Sequence, residues 1–337
     1  MNANHRFPEG YTPCLDLIKT QQAIKTLKDC FQGQLGSKLN LTRVSAPLFV
    51  WQSTGLNDDL SGTERKVCFD TAEAPGDEIQ VVQSLAKWKR DALGRYGYPV
   101  GSGLYTDMNA IRRDEITDNT HSIYVDQWDW EKVVAREDRT RDYLMQTVRR
   151  IHDAVLEAET VLHSRYPALQ PRLPADLTFV TSAELYDMYP ALSPEAREQA
   201  FAEKHRAVFI MRIGWPLPDG KPHSSRAPDY DDWQLNGDLI YLHPELGCAL
   251  EISSMGIRVD ASSMFSQLSE ANARARIDLP FHRKIMSDAL PLTIGGGIGQ
   301  SRLCMLLLRK AHIGEVQCSI WPEGVTEHFS ERGAAFL

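Results

Sequence analysis

Apolar residues that recur at helical spacing near the start of the chain predict its first helix. Asp16 suits the N-cap of this helix, and Gly36 suits its C-terminal cap. The apolar positions on the shared face are Leu17, Ile24, Leu27, Phe31 and Leu35. Residues 1–15 lack this period and contain two prolines and a glycine. They therefore indicate an N-terminal arm that is either loose or docked.

Short segments rich in alternating or β-branched apolar residues predict strands. They are residues 39–50, 66–69, 79–82, 104–106, 123–125, 177–181, 208–213, 239–242, 249–252 and 257–259. Pro47 makes the first of them an edge or bulged strand. Two further helices are predicted over residues 141–163 and from Ser193 to about residue 204. Because the strands form groups with helices between the groups, the pattern favours an α+β fold with an antiparallel sheet flanked by helices.

One long segment, residues 214–237, follows neither the helical nor the strand period. It contains four prolines, followed by Asp229, Asp231 and Asp232. A structureless connection of this length is either functional or disordered. It could be a lid that excludes water from a reaction, and the alternative is a solvated acidic loop.

Length and charge limit the classes of protein that need to be considered. The chain has 337 residues, which allows two domains or one large domain. Its formal net charge of -8 argues against a general nucleic-acid binder, because the overall field repels polyanions. The first residues lack the apolar stretch of a signal peptide, and the apolar run at residues 303–308 is too short to span a membrane. We therefore expect a cytoplasmic protein with no membrane partner.

A run of glycines at residues 295–299 comes shortly before Arg302 and a short helical pattern. The run fits neither the dinucleotide-binding motif nor the P-loop motif. Glycines let the backbone approach a ligand, and a helix N-terminus beside a guanidinium can bind an anion. The alternative is a tight strand-to-helix packing turn with a solvated arginine.

Two further segments place polar residues at strand spacing. Over residues 123–131, alternation puts Val125, Gln127, Asp129 and Glu131 on one face, which is either the floor of a site or an exposed sheet face. In a second segment, Glu251 and Ser253 would share a strand face, with Arg258 beyond a glycine turn. Asp238 and Glu251 could hold a magnesium ion together with nucleotide phosphates, or they could simply face solvent.

These pieces, in this order, resemble the catalytic core of class II aminoacyl-tRNA synthetases, most closely the aspartyl and asparaginyl branch. The first motif of that class, a long helix followed by a strand with a proline, resembles residues 16–35 and 43–48. The second, an Arg-Asp-Glu turn between antiparallel strands, resembles residues 111–115 and 127–131. The third, a glycine-rich strand that enters a helix through an arginine, resembles residues 295–308. Residues 84–89 lie where that branch keeps a lysine that binds aspartate.

The closer resemblance is to the asparagine synthetase A family, the ammonia-dependent aspartate ligases built on this core. It extends over residues 18–322 and is strongest in residues 58–62, 121–131, 226–233, 235–238, 253–260 and 295–303. Asp59 departs from the asparagine expected in bacterial members, and the N-terminal arm is longer than expected. Only about 15 residues precede the first helix, so we expect residues 16–337 to form a single catalytic domain without an anticodon-binding domain.

The resemblance implies a two-step reaction. The β-carboxylate of aspartate attacks the α-phosphorus of ATP to give β-aspartyl-AMP and pyrophosphate, and ammonia then converts the adenylate to asparagine and AMP. The implied nucleotide contacts are Arg112 at the α-phosphate and Arg302 at the outer phosphates or the adenine face. Asp231 is implied as a further ATP contact, and Asp238 and Glu251 as ligands of Mg2+.

The same resemblance implies contacts for aspartate and ammonia. Lys89 and Arg258 would bind the substrate carboxylates, and Gln127 would donate to a carboxylate or a phosphate. Asp58, Asp129 and Asp231 would hold the substrate ammonium group or position ammonia, with Asp58 the first choice as proton acceptor from ammonium. The remaining predicted substrate-binding residues are Ser84 and Ser254.

Two other interpretations compete with the ligase. A tRNA-dependent synthetase-like enzyme would need an RNA-binding module. A noncatalytic paralogue that senses aspartate or nucleotide would be expected to lose a phosphate-binding arginine or a metal-binding acid, whereas this chain keeps Arg112, Glu251 and Arg302. The first helix and the Pro47 strand also predict a homodimer with a twofold interface.

Overall fold

The computed structural model describes residues 4–58, 60, 64–73 and 76–337. Within them the strands are β1 (Leu41–Arg43), β2 (Phe49–Trp51), β3 (Cys68–Phe69), β4 (Ile79–Val81), β5 (Gly103–Ile111), β6 (Tyr124–Val133), β7 (Thr178–Thr181), β8 (Ala207–Met211), β9 (Asp231–His243), β10 (Cys248–Arg258) and β11 (Thr293–Gly299). The helices are α1 (Leu17–Leu39), α2 (Ala86–Tyr96), α3 (Arg141–Arg165), α4 (Ser182–Met188), α5 (Pro194–His205), α6 (Ala261–Glu270), α7 (Pro280–Met286), α8 (Gln300–Leu308) and α9 (Val325–Ser330).

An eight-stranded sheet in the order β1-β5-β6-β11-β10-β9-β8-β7 organises the fold. Its two outer pairs, β1 with β5 and β7 with β8, are parallel, and the pairs between them are antiparallel. β2, β4 and β3 form a separate small sheet. Each predicted strand segment overlaps an observed strand. The predicted α+β fold, with a mainly antiparallel sheet flanked by helices, is confirmed.

The main hydrophobic core lies where α1 and α3 pack against the sheet. Leu27, Phe31 and Leu35 of α1 are fully buried there, together with Trp128 and Trp130 of β6. The rings of Phe31 and Trp128 lie 4.7 Å apart between centroids. Burying aromatic side chains of this size contributes strongly to stability, since each removes a large apolar area from water.

The predicted start of α1 is confirmed and its predicted end is wrong. The Asp16 side chain accepts a hydrogen bond from the Lys19 amide at 2.8 Å, as an N-cap does. The helix continues past Gly36 and ends at Asn40, which has the left-handed φ of 60°. Gly36 lies against the Tyr105 ring, where a Cβ would sit at 3.4 Å from a ring carbon. This glycine is therefore an interior residue of the helix and not its C-terminal cap.

Two predicted strand boundaries also change. The predicted strand over residues 39–50 is divided between β1 and β2, which belong to different sheets, and Pro47 lies in the connection between them. The segments 249–252 and 257–259 form one strand, β10, and no turn occurs at Gly256. A Cβ at this glycine would come within 2.9 Å of Asn236 and 3.0 Å of Asp231, so the residue allows two strands to approach.

The predicted irregular segment 214–237 is shorter in the structure, because β9 begins at Asp231. Asp229, Asp231 and Asp232 are each buried, which contradicts the solvated acidic loop. Asp231 and Asp232 pair with Arg258 and Arg139, so the acids are neutralised inside the fold. Asp231 is therefore held in a buried strand and not in a loop, while a lid formed by residues 214–230 stays a prediction.

The N-terminal arm is docked over residues 4–15. His5 is 3% exposed, and the Tyr11 hydroxyl donates to the Glu315 carboxylate at 2.9 Å. Phe7 packs edge-on against Phe329 of α9, with 5.3 Å between ring centroids. The described part of the chain contains no helix that is long and apolar enough to cross a membrane.

Candidate active site

A polar cavity of about 360 Å³ opens on the face of the sheet opposite the main core. Its floor comes from β6, β10 and β11, and its walls from α2, the start of α8 and the turn after β5. All the predicted site residues except Asp238 line it: Asp58, Ser84, Lys89, Arg112, Gln127, Asp129, Asp231, Glu251, Ser254, Arg258 and Arg302. The structure therefore supports the interpretation that the polar row of β6 forms the floor of a site and not an exposed sheet face.

Strand register sets the order of the polar residues along the floor. On β6, Glu131, Asp129 and Gln127 lie opposite Gly295, Gly297 and Gly299 of β11. A Cβ at Gly295 would overlap the Glu131 carboxylate, and one at Gly297 would overlap the Gln127 amide. The glycine run therefore leaves room for the polar side chains of the neighbouring strand, a physical reason for glycine that differs from a phosphate loop.

Lys89 forms a buried ion pair in the middle of the cavity. Its ammonium group contacts Asp129 Oδ1 and donates to the Gly296 carbonyl at 2.9 Å. The side chains of Lys89 and Asp129 are 1% and 4% exposed. Asp129 Oδ2 accepts no hydrogen bond from the described residues. Buried carboxylate oxygens are normally hydrogen-bonded, so this oxygen is free to receive a cationic N–H group of a ligand.

Arg258 lies at one end of the floor between two carboxylates. Its guanidinium donates to Glu131 at 2.8 and 3.0 Å and also pairs with Asp231. Thr293 donates to Glu131 at 2.6 Å. Burial alone would raise the pKa of Glu131, but Arg258 outweighs burial, and the net shift of this pKa is downward.

Arg302 lies at the other end of the floor, in the first turn of α8. It donates to the Glu251 carbonyl at 3.0 Å and the Thr120 carbonyl at 3.4 Å, and it contacts His121 Nε2 at 2.8 Å. Arg112 follows β5 in the turn that resembles the second motif, and its Nε has no partner among the described residues. The guanidinium groups of Arg112 and Arg302 therefore reach the same cavity. This arrangement is suited to binding phosphate.

Asp58 is a buried carboxylate at the cavity wall and is 2% exposed. Its Oδ1 accepts from the Leu60 amide at 3.2 Å, and Oδ2 accepts no hydrogen bond from the residues that the structure describes. Burial raises the pKa of Asp58, while nearby Lys87 opposes this shift. Asp59, Ser61 and Gly62, which belong to the same segment that resembles the ligase family, lie outside the described residues.

Asp238 lies on β9 opposite Ser254 of β10, and it does not line the cavity. A bulge in β10 after Glu251 brings Ser254, and not Ser253, opposite Asp238 and into the cavity, so the predicted pairing of Glu251 with Ser253 on one face is wrong. Burial raises the pKa of Asp238 to about 7, with Arg226 opposing the shift and Glu251 adding to it.

Asp238 and Glu251 are the two residues predicted to bind a metal ion. A divalent cation would offset the repulsion between the two carboxylates, and Mg2+ prefers such oxygen ligands. No group of three or more histidine, cysteine or acidic side chains in the described ranges is placed to hold a metal ion. Asp238 is also paired with Arg226, so a cation held by the two acids would share that carboxylate with the guanidinium and take its other ligands from a bound phosphate.

Two residues that line the cavity have no role predicted from the sequence. His121 and Arg226 line the cavity and contact Arg302 and Asp238, respectively. Glu131 lies on the predicted strand face, where it pairs with Arg258 and does not itself line the cavity. The first two lie within segments that resemble the ligase family, which was the available signal. Their contacts join residues 12 and 181 positions apart, and sequence spacing alone does not show the longer contact.

The fold is similar to that of class II synthetases. Asparaginyl-tRNA synthetase from Pyrococcus horikoshii, solved with asparaginyl-adenylate, superposes with a TM-score of 0.64 at 13% identity over 88% of this chain and 67% of its own. A family model described as aspartate-ammonia ligase matches residues 18–333.

Two curated relatives agree with that match, and both are named aspartate–ammonia ligase. The one from Ruminiclostridium cellulolyticum is 54% identical over 98% of each chain. The one from Lactobacillus johnsonii is 56% identical over 95% of this chain and 96% of its own. The chain belongs to the aspartate–ammonia ligase family, which confirms the resemblance seen in the sequence.

Proposed function

We propose that this chain is an AMP-forming aspartate–ammonia ligase, which makes L-asparagine from L-aspartate, ammonia and ATP through β-aspartyl-AMP. The supporting observation is a cavity that combines the guanidinium groups of Arg112 and Arg302 with buried oxygens of Asp58 and Asp129 that accept no hydrogen bond from the described residues. Such a cavity offers sites for anions and for ammonium groups side by side. The names of the relatives agree with this activity.

Aspartate would bind between Lys89 in the middle of the cavity and Arg258 at one end. Lys89 has three N–H donors, of which Asp129 and the Gly296 carbonyl take two, so one remains for a substrate carboxylate. Arg258 would bind a carboxylate through its remaining N–H groups. Asp129 Oδ2 would accept from the substrate ammonium group, with Gln127 and the hydroxyls of Ser84 and Ser254 completing the polar contacts.

The nucleotide would bind at the Arg302 end, with Arg112 at the α-phosphate. Asp231 is 2% exposed and paired with Arg258 at the opposite end of the floor, which favours its predicted role with the substrate ammonium group over its predicted contact with ATP. A β-carboxylate oxygen of aspartate attacks the α-phosphorus, and the bond to pyrophosphate breaks. Both groups are negatively charged, so the arginines act by neutralising and aligning them.

In the second step, the nitrogen of ammonia attacks the acyl carbon of the adenylate, AMP leaves, and the nitrogen loses a proton. We propose that Asp58 binds the incoming ammonium ion and takes its proton, because its Oδ2 lacks a partner in the described structure and faces the cavity. Burial raises the pKa of Asp58, which makes the carboxylate a better proton acceptor than an exposed aspartate.

Replacing Asp58 with asparagine is expected to lower kcat/KM for ammonium about a hundredfold, since the amide keeps the shape but neither bears charge nor accepts the proton. Aspartate-dependent exchange of pyrophosphate into ATP, which reports adenylate formation alone, should change by less than about threefold. Asp70→Asn, at an exposed carboxylate, is the matched control. Full ammonium use by Asp58→Asn would refute the role.

We propose that Glu251 and Asp238 hold Mg2+ together with the phosphates, where the ion would neutralise phosphate charge. Glu251→Gln is then expected to raise the half-saturating Mg2+ concentration for ATP binding at least about tenfold, because one anionic ligand is lost. Titration calorimetry with ATP at several Mg2+ concentrations measures this effect. An unchanged Mg2+ requirement would remove Glu251 from the metal site.

We also propose that the enzyme acts as a cytoplasmic homodimer without a nucleic-acid partner. Supporting the dimer, exposed apolar side chains occur in the two segments predicted for the contact, including Ile18 at 71%, Leu48 at 51% and Phe49 at 49%. Exposed apolar surface of this kind often marks an interface. Sedimentation equilibrium should give twice the mass of one chain, and a single-chain mass would exclude the dimer.

The experiment that tests the function is a reaction of the purified protein with aspartate, magnesium ATP and ammonium, without tRNA. Asparagine, AMP and pyrophosphate should appear in equal amounts, and asparagine formation should require ammonium. ADP with phosphate would refute the adenylate route. Absence of asparagine, with charging when tRNA is added, would favour a synthetase.

A further inference from the structure

The N-terminal arm makes its closest polar contacts with the segment that carries one wall of the cavity. The Arg6 amide donates to Asn119 Oδ1 at 2.7 Å, and Asn119 Nδ2 donates back to the Arg6 carbonyl at 2.8 Å. His5 contacts Thr117 Oγ1 at 3.2 Å and His312 Nε2 at 2.9 Å. The arm is thus paired through its backbone with the residues immediately before His121.

Asn119 connects the arm to the C-terminal part of the chain as well. Its Nδ2 donates to the Ala311 carbonyl at 2.7 Å, and its own carbonyl accepts from the Ile313 amide at 2.8 Å. The residue is 8% exposed. Because its side-chain amide and its carbonyl are both used, its position is fixed jointly by the arm and by residues 311–313.

The two residues after Asn119 contact the arginine at the nucleotide end of the cavity. The Thr120 carbonyl accepts from Arg302 Nε, and His121 Nε2 lies 2.8 Å from Arg302 Nη2. The other ring nitrogen of His121 contacts Asp118 at 2.9 Å, so the ring is held on both sides. Any shift of Asn119 would therefore be passed directly to the guanidinium of Arg302.

We propose that the arm is a positioning element for nucleotide binding, which acts through Asn119 and His121 on the orientation of Arg302. This inference rests on the proposed function, in which Arg302 contacts ATP. Preorganised charged donors lose less entropy when a ligand binds, so holding the guanidinium in place increases affinity for ATP. Aspartate binding at the far end of the cavity should not depend on the arm.

The arm has other anchors, which allows one contact to be removed without detaching it. Tyr11 is held by Glu315, and Phe7 packs against Phe329. Arg6→Pro deletes the amide that donates to Asn119 and also the side chain of Arg6. Arg6→Ala removes only the side chain, whose guanidinium donates to the Leu246 carbonyl at 3.2 Å. The pair of variants isolates the backbone hydrogen bond.

Calorimetric titration of the full-length protein with ATP measures the affinity for ATP without turnover. The result can therefore be interpreted even if the proposed reaction does not occur. Arg6→Pro is expected to weaken ATP binding roughly three- to tenfold, the equivalent of one hydrogen bond, while Arg6→Ala stays near wild type. The affinity for aspartate, measured by the same titration, should not change, and the melting temperature should fall only slightly, as expected for one lost hydrogen bond. A merely structural arm would also lower the melting temperature but would leave ATP affinity unchanged.

A second comparison tests the route through His121. In a His121→Ala background, Arg6→Pro should weaken ATP binding less than it does in wild type, because only the Thr120 contact to Arg302 remains to transmit the effect. Additive losses in the double variant would overturn the route. Unchanged ATP affinity in Arg6→Pro, or an equal loss of affinity for aspartate, would overturn the proposal itself.

Discussion

Arg258→Met is expected to destabilise the folded protein by about 3 to 5 kcal/mol, because it leaves Glu131 and Asp231 buried without their cation. Arg258 is 3% exposed and Glu131 is completely buried, so water replaces the lost contacts only poorly. The methionine fills much of the arginine volume, which limits the part of the loss that comes from a cavity. Urea unfolding followed by circular dichroism measures the free energy of unfolding.

Two controls show whether the loss comes from the buried charges. Arg283→Met alters an exposed arginine whose contact with Asp278 is solvated, and it should change the free energy of unfolding by less than about 0.5 kcal/mol. Adding Glu131→Gln to Arg258→Met should recover part of the stability, because one uncompensated charge is removed. An Arg258→Met protein as stable as wild type would show that water or rearrangement satisfies both acids.

Arg112→Ala is expected to lower the rate of adenylate formation by a factor of about a hundred to a thousand, as the loss of one donor to transition-state charge does in other enzymes. Its Nε is without a partner in the described structure, so the side chain is available to a ligand rather than committed to the fold. Its removal should therefore leave the free energy of unfolding nearly unchanged. Aspartate-dependent exchange of pyrophosphate into ATP measures the rate.

The neighbouring arginine provides the matched control. Arg113 is exposed and does not line the cavity, so Arg113→Ala should retain the exchange rate within about threefold. Comparable losses in the two variants would show that the positive charge of the turn acts on the nucleotide at a distance, and not through a contact of Arg112. Near-normal exchange in Arg112→Ala would refute its assignment to the α-phosphate.

The sequence predicted most of the cavity because the strand period alone determines which side chains share a face. Gln127, Asp129 and Glu131 alternate with the core tryptophans, and this alternation is local information. The motifs that resemble the class II synthetase core then predicted Arg112 and Arg302 at the same site. The positions of the strands were also predicted correctly, because the alternation of side chains along a strand is visible in the local sequence.

Features that depend on distant contacts were predicted poorly. Gly256 suggests a turn when only its neighbours in sequence are considered, whereas it packs against Asn236 and Asp231 of the adjacent strand. The bulge after Glu251 exchanges Ser253 for Ser254 in the cavity, and no residue type marks it. The docking of His5 depends on His312, which is 307 positions away.

The structure of β6 also bears on which mutations the gene can accept. One face of this strand carries the indoles of Trp128 and Trp130 into the core, and the other carries the polar row of the cavity. Inserting or deleting a single codon within the strand would exchange the two faces beyond that point. The indoles would then enter the cavity and the carboxylates would enter the apolar interior. This stretch of the gene should therefore accept substitutions at some positions, but it should not tolerate a change in length.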